Sequence, residues 1–458
     1  MLQHHFDMEL IKKYQVNTPR YTSYPTADKF STNYNTELHN QNLVQLSSID
    51  KEFSLYIHIP FCNTLCLFCG CNKIITNKRE RIVTYLDYLE REMILLSNKL
   101  NNNKIKISQL HFGGGSPSWL YPEEISLLMS ILNKYFDYTN AHEIAMEVDP
   151  RHTDENYIAH LKSLGFNRIS IGVQDFDYAV QKAVNRIQPY ELTKNILLAC
   201  EKLAFESTSV DLIYGLPLQT LNSFSHTIAQ IIELRPDRIS LFNYAHIPNI
   251  VMAQTRINEE QLPSGDVKLA ILQLCVDKLT KAGYIFIGMD HFALPTDSLT
   301  ISLNNGTMQR NFQGYSTYAN LNMLALGVSS IGMIDNNYYQ NYKTLDEYYQ
   351  AIDNNLLPVY RGFAMSTDDI IRKHVIHAIM CQFRVDYLKI FDKYQIEFSQ
   401  YFKHELEQLN KLLVDDLIEF DNNGFFVSDR GRFLVRNIAV IFDKYYQSSQ
   451  NKIFSKAI

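Results

Sequence analysis

The stretch LYIHIPFCNTLCLFCGCNK, residues 55–73, sets the reading of the whole chain. Leu55, Ile57 and Ile59 belong to a short apolar run of the kind a buried strand shows. Pro60 closes it, since proline cannot donate to a sheet ladder. Cys62, Cys66, Cys69 and Cys71 follow in one loop. A strand therefore delivers four thiols to the point where it leaves its sheet.

Outward from this point the strand pattern recurs at 107–112, 144–148, 168–173, 209–213 and 238–242. The intervening segments, 80–100, 122–136, 153–164, 189–205 and 221–234, have helical period. Ile82, Leu86, Leu89, Met93 and Leu96 make one such stripe. Pro122 and Pro189 suit the first turns of their helices. Six strand-then-helix units in series predict an α/β fold with a parallel sheet and right-handed crossovers. An internal echo, LGFNRISIG at 164–172 against LRPDRISLF at 234–242, points to repetition. Pattern alone allows an open doubly wound sheet or a whole or partial barrel. In each of these, ligands bind beyond the carboxyl ends of the strands.

A helix at 265–282 and an apolar run at 284–287 extend the series. Beyond about residue 340, Tyr, Asn, Lys and Glu dominate. Helices at 368–381 and 398–413 precede a strand, a turn and a helix at 424–438, an order that also resembles a winged helix. The expected organisation is an N-terminal arm (1–50), a catalytic domain (51–340) and a mostly helical C-terminal domain (341–458).

Composition bounds the function. The chain has 458 residues, 46% of them hydrophobic, enough for an ordinary core. With 17 Gly and 13 Pro it is neither collagen-like nor low-complexity. Its 43 basic and 49 acidic residues give a net charge of −6, so no nucleic-acid partner is expected. No run approaches the ~18 apolar residues of a membrane span, so no membrane association is expected. The start, MLQHHFDMELIKKYQ, has no apolar signal-peptide core. The cytoplasm is the expected compartment. Disulfide frameworks belong mostly to small secreted chains, so clustered cysteines here point to metal or redox chemistry. Cys200, Cys275 and Cys381, in apolar helical stretches, read as inert core thiols.

Three thiolates spaced Cys-x3-Cys-x2-Cys can hold three irons of an iron–sulfur cube and leave the fourth iron open. An open position is what a catalytic metal site keeps. The alternative is zinc with Cys71 as fourth thiolate, although structural zinc sites usually set two ligand pairs well apart.

The triple-cysteine motif after the first strand resembles the radical S-adenosylmethionine (radical SAM) superfamily. HIPFCNTLCLFCGCNK (58–73), with PRYTSYPT (19–26) upstream, resembles the oxygen-independent coproporphyrinogen III oxidases, also called coproporphyrinogen dehydrogenases. The likeness continues through LHFGGGSPS, EVDPR, GFNRISIGVQDF, DLIYGLP, FNYAH, GMDHFA and RNFQGY, nearly the whole chain. It implies a partial (β/α)6 barrel of the radical SAM type with a C-terminal helical domain. It implies a [4Fe-4S] cluster on Cys62, Cys66 and Cys69, with Cys71 outside the ligand set, and two molecules of S-adenosylmethionine. The implied reaction belongs to haem biosynthesis. A 5′-deoxyadenosyl radical starts the oxidative decarboxylation of two propionates of coproporphyrinogen III to vinyl groups, giving protoporphyrinogen IX.

The same resemblance implies that Tyr56, Gly114, Glu147 and Ile331 serve the first cofactor molecule. It assigns Phe68, Gly115, Ser116, Gln174, Arg186, Asp211 and Ala245 to the second. Tyr56, Glu147, Phe312 and Gln313 are its catalytic candidates. Ser116 stands where the family usually has Thr, and residues 319–324 depart from the family's glycine- and acid-containing version. Asp211 is singled out independently, because a charge inside an apolar strand is costly unless paired or used. His58, His111 and His291, near strand ends, read equally as hydrogen-bonded core histidines or as proton carriers, and none is assigned a catalytic role. Four substrate carboxylates meeting an acidic protein require local cations, and Arg20 and Arg310 are candidates. A flavodoxin or ferredoxin system is the expected electron donor, and a monomer the expected state. Haem-trafficking relatives, which bind haem without oxidase activity, are the alternative, but they typically lack the Cys-Gly-Cys ending and the PRYTSYPT arm.

Overall fold

β1 (Glu52–Ile59) is the strand that opens the quoted stretch, and its apolar residues are almost fully buried. It is seen in a computed structural model that describes residues 7–46, 52–101, 103–318 and 321–446. Ala319 and Asn320 of the departing segment, parts of the expected arm (1–6 and 47–50) and Lys51 lie outside the described residues.

The backbone groups into two units. One comprises Phe30–Ser264 and Asn320–Ala364, the other Met1–Lys29, Gly265–Ala319 and Met365–Ile458. In the first, β1 is followed by β2 (Ile105–Gly114), β3 (Glu143–Val148), β4 (Arg168–Gln174), β5 (Ser207–Tyr214) and β6 (Arg238–Asn243). These are the six strands read from the sequence. They pair in chain order, every neighbour parallel. Between them run α1 (Arg79–Lys99), α2 (Pro122–Tyr135), α3 (Glu155–Ser163), α4 (Tyr190–Lys202) and α5 (Leu221–Leu234). The α1 stripe of Ile82, Leu86, Leu89, Met93 and Leu96 is buried as its spacing predicts. Pro122 occupies the first turn of α2, while Pro189 stands one residue before α4 as its N-cap. The echoed sequences mark corresponding places, since Arg168 opens β4 and Arg238 opens β6.

β7 (Asn322–Leu326) pairs parallel with the other edge of β1. β8 (Ile331–Ile334), β9 (Asn337–Asn341) and β10 (Val359–Ala364) continue the sheet antiparallel. The β9–β10 ladder joins residues on both sides of position 341, Tyr339 opposite Gly362. A polar layer ties the amino ends of the parallel strands. Ser54 donates to Gln109 (3.0 Å), and Gln109 (2.8 Å) and Arg168 (2.9 Å) donate to Glu143. Burial opposes ionisation of Glu143, but Arg168 and Arg238 bring its pKa down to about 2.

In the second unit, helix Thr367–His377 continues into a short π-helical turn, Ala378–Gln382. Three short antiparallel strands, Arg384–Asp386, Gly424–Val427 and Ile418–Asp421, and helix Lys403–Leu413 complete the C-terminal region. Val375, Ile379, Leu409, Phe425 and Ile438 form its core, with Tyr21 and Tyr24 of the N-terminal arm packed into it. Among the described residues no helix is long and apolar enough to cross a membrane.

Candidate functional site

The cysteine loop leaves β1 at Ile59, and its base is clamped by backbone. Phe61–Cys62 pairs parallel with Ile74–Ile75, and the Ile74 amide donates to the Pro60 carbonyl (2.7 Å). The arch is held at several points. The Leu67 amide donates to the Val184 carbonyl (3.0 Å), Asn185 to the Leu65 carbonyl (2.8 Å), and Lys73 to the Cys69 carbonyl (2.7 Å). The Gln254 amide group donates to the carbonyls of both Phe68 (3.1 Å) and Ala245 (3.2 Å), linking the loop to the segment after β6.

One cavity opens at the carboxyl ends of β1 to β5, where the parallel fold presents ligands. Cys62, Cys66 and Cys69 line it, with Phe68 and Cys71 from the same loop. So do Gly114, Gly115 and Ser116 after β2, Glu147 on β3, Gln174 on β4, Arg186, and Asp211 on β5. Residues scattered over 150 positions of sequence are thus brought to one wall set. Tyr56 and Ala245 adjoin this group through Glu147 and Phe68 respectively. Ile331 opens β8 in the same unit, opposite Gln340. Phe312 and Gln313 belong to the other unit, on the hairpin Gln309–Asn311 and Gly314–Ser316.

The carboxylate of Glu147 lies 3.4 Å from His111 Nε2, and the Gly114 amide donates to it at 3.4 Å. Burial raises its pKa, but His111 and the amide lower it on balance. His58 Nε2 is 3.1 Å from the Asn72 carbonyl, so it must carry the proton. Its Nδ1 then accepts from the Tyr56 hydroxyl (3.1 Å). Burial brings His58 down to about 4 and keeps it neutral. Gly114, at φ +119°, passes so close to this ring that an added Cβ would sit 2.6 Å from it. The glycine run therefore makes room for β1 side chains as well as for a ligand.

Arg186, a cofactor candidate from the sequence, joins Asp149 and Arg151, which sequence reasoning left unassigned, in setting the charge of the loop. Asp149 is buried and accepts from Arg151 (2.6 Å) and Arg186 (3.1 Å). Burial works against its charge, but the two guanidinium groups hold its carboxyl far below the usual range. Arg151 and Arg186 each also lie 3.6 Å from the Cys66 sulfur. The only advance signal for Asp149 and Arg151 was their place in EVDPR. As bare thiols the cysteines differ: burial and the neighbouring sulfurs push Cys62 up to about 12, whereas a hydrogen bond with Cys71 and the nearby Lys73 lower Cys69.

This donor set fits an iron–sulfur cube. Metal ligation needs thiolates, and Lys73 favours that form at Cys69. Among the described residues no three His, Cys, Asp or Glu groups converge on a point that a single ion could take. Thiolates that each bond a different iron have no need to converge, whereas mononuclear zinc would require it. Arg186 also keeps a buried Nε without a partner among the described residues, a donor left for an anionic group of a cofactor.

A triple-cysteine loop at the carboxyl edge of such a sheet is the site of a radical SAM enzyme, and the Radical SAM superfamily model matches residues 56–231. Oxygen-independent coproporphyrinogen III oxidase of Escherichia coli K12 is 44% identical over 99% of this chain and 98% of its own. The enzyme of the same name from Pseudomonas aeruginosa is 42% identical over 99% of both. The solved structure of coproporphyrinogen III oxidase (HemN) from Escherichia coli, described as a radical SAM enzyme, superposes with a TM-score of 0.92 over 97% of this chain and 100% of its own. The chain belongs to the oxygen-independent coproporphyrinogen III oxidases, with their partial (β/α)6 barrel, [4Fe-4S] cluster and S-adenosylmethionine.

Proposed function

We propose that this protein catalyses the anaerobic oxidative decarboxylation of coproporphyrinogen III to protoporphyrinogen IX in haem biosynthesis. The observation that carries this is the cavity in which Cys62, Cys66 and Cys69 meet Gly114, Glu147, Gln174, Arg186 and Asp211 at the sheet's carboxyl edge. When bound, the reduced cluster and S-adenosylmethionine supply the radical that removes a hydrogen from a propionate side chain. The chain's own residues bind, orient and exclude water.

Cys62, Cys66 and Cys69 hold the cluster in this reading, and Cys71 stands outside the ligand set. Tyr56, Gly114, Glu147 and Ile331 serve one cofactor molecule. Glu147 is suited to ribose hydroxyls or an amino group, since its carboxylate stays ionised beside His111. Phe68, Gly115, Ser116, Gln174, Arg186, Asp211 and Ala245 serve a second molecule, with Arg186 and Asp211 offering opposite charges to a zwitterionic ligand. Phe312 and Gln313 act on the substrate. The protein works as a cytoplasmic monomer and takes electrons from a flavodoxin or ferredoxin system. The test is to titrate S-adenosylmethionine into anaerobically reconstituted protein. Two equivalents bound per chain, falling to one in Asp211→Asn, support the pairing, and one equivalent in both refutes it.

A further inference from the structure

The unit that contains the N-terminal arm buries the arginines Arg310 and Arg436. Arg310, on the hairpin described above, is 4% exposed. Its Nε donates to the Arg20 carbonyl (3.2 Å), and its guanidinium lies 4.6 Å over the Tyr315 ring. Its Nη1 is buried with no partner among the described residues, and the same is true of Gln313 Nε2 on the same hairpin. Arg20 pairs with Asp290, which also holds His291 Nδ1 at 2.7 Å. Arg436 is buried and donates to the carbonyls of Thr18 and Pro19. Arg20, Arg310 and Arg436 all lie within electrostatic reach of Asp290.

Burial, with Arg20 and Arg310 adding to it, brings Arg436 down to about 9. His377, within electrostatic reach of Arg310, is brought down to about 3, mainly by burial. Burying a guanidinium N–H without a partner is costly, and an arriving anion at Arg310 would relieve it. An arginine with an unpartnered N–H is suited to a carboxylate, and the unpartnered Gln313 amide on the same hairpin adds a second donor.

We propose that Arg310 and Gln313 form a seat for one carboxylate of the substrate, with Arg20, Asp290 and Tyr315 holding the arginine in place. This deepens the proposed function and rests on it, because coproporphyrinogen III presents four propionates. The seat explains how a chain with a net charge of −6 can bind a polyanion. It also gives the PRYTSYPT arm a part in binding, since Arg20 supplies the carbonyl that fixes Arg310.

The test is anaerobic equilibrium binding of coproporphyrinogen III to the reconstituted protein, wild type against Arg310→Gln and Arg310→Lys. Cluster absorption and S-adenosylmethionine binding serve as checks of folding. Arg310→Gln should weaken porphyrinogen binding by about 10- to 100-fold, with Arg310→Lys in between, since charged hydrogen bonds of this kind carry effects of that order. S-adenosylmethionine affinity should not move. Porphyrinogen affinity within about twofold of wild type in either folded variant overturns the seat. Wild-type protein that neither binds nor converts coproporphyrinogen III refutes the proposed function instead. If Arg310→Gln does not fold, Arg310→Lys decides alone: several-fold weaker binding supports the seat and unchanged binding overturns it.

Discussion

Gly115→Ala should loosen the hold of the loop on its cluster. Gly115 lies where β2 ends against the exit of β1. Its amide donates to the Ile59 carbonyl (2.8 Å), and the Ser116 amide to that of Phe61 (2.9 Å). A Cβ at Gly115 would sit 2.6 Å from the Pro60 oxygen, 2.7 Å from the Pro60 carbonyl carbon and 2.9 Å from the Phe61 oxygen. A normal C···O approach is about 3.3–3.6 Å, so the backbone must part by roughly 0.7 Å. No rotamer change can relieve this, because every atom met is main chain. The segment forced to move runs directly into Cys62 and carries the carbonyl that receives the Ile74 amide at the loop's base. Overpacking of this kind costs about 1–3 kcal/mol, equivalent to about 5- to 150-fold in an equilibrium.

The assay is iron content after anaerobic reconstitution, followed by the rate of iron loss to a chelator. Gly115→Ala should lose iron at least about fivefold faster than wild type. Gly265→Ala is the control, because a Cβ there meets nothing within 4 Å. Wild-type iron content and chelator resistance in Gly115→Ala would refute the argument that this close backbone approach fixes the loop.

Other outcomes follow from the same structure. Wild-type protein should hold about four irons per chain and Cys66→Ala far fewer, as measured by iron analysis and absorption near 400 nm, roughly where such clusters absorb. Asp149→Asn leaves Arg151 and Arg186 without their buried counter-charge, so urea unfolding should show a loss of about 3–5 kcal/mol. Glu92, buried on α1, accepts from Tyr348 (2.6 Å), Asn341 (2.7 Å) and the Gly327 amide (2.8 Å), and burial raises its pKa to about 7. A raised carboxyl is protonated in the folded state while the unfolded one ionises above about 4.5. Stability should therefore fall by about 3 kcal/mol as pH rises from 4.5 to 7. Urea titrations across that range should show a correspondingly smaller slope in Glu92→Gln.

The six parallel strands were legible because each is a short apolar run bounded by turn residues, and five helices because their apolar residues keep one stripe. The thiol loop was legible because cysteine is rare and its spacing is specific. The strands beyond residue 320 were not. NYYQN at Asn337–Asn341 and VYRGFA at Val359–Ala364 are polar or mixed, and they become strands by pairing with each other and with β8. The charge control of the site was also hidden. Asp149, Arg151 and Arg186 form one cluster only because the ends of β3 and β4 are neighbours in the sheet, which no local pattern records. Asp211 was the exception. A carboxylate between Val210 and Leu212 signals its own cost, and it does line the cavity.

The central claim is tested most directly by product analysis. Anaerobically reconstituted protein is mixed with coproporphyrinogen III, S-adenosylmethionine and a low-potential reductant, and porphyrinogens and carbon dioxide are measured. The account predicts protoporphyrinogen IX with two carbon dioxide molecules released per substrate, and no product from Cys62→Ala. A fully loaded cluster with no vinyl product, or full activity in Cys62→Ala, would contradict it.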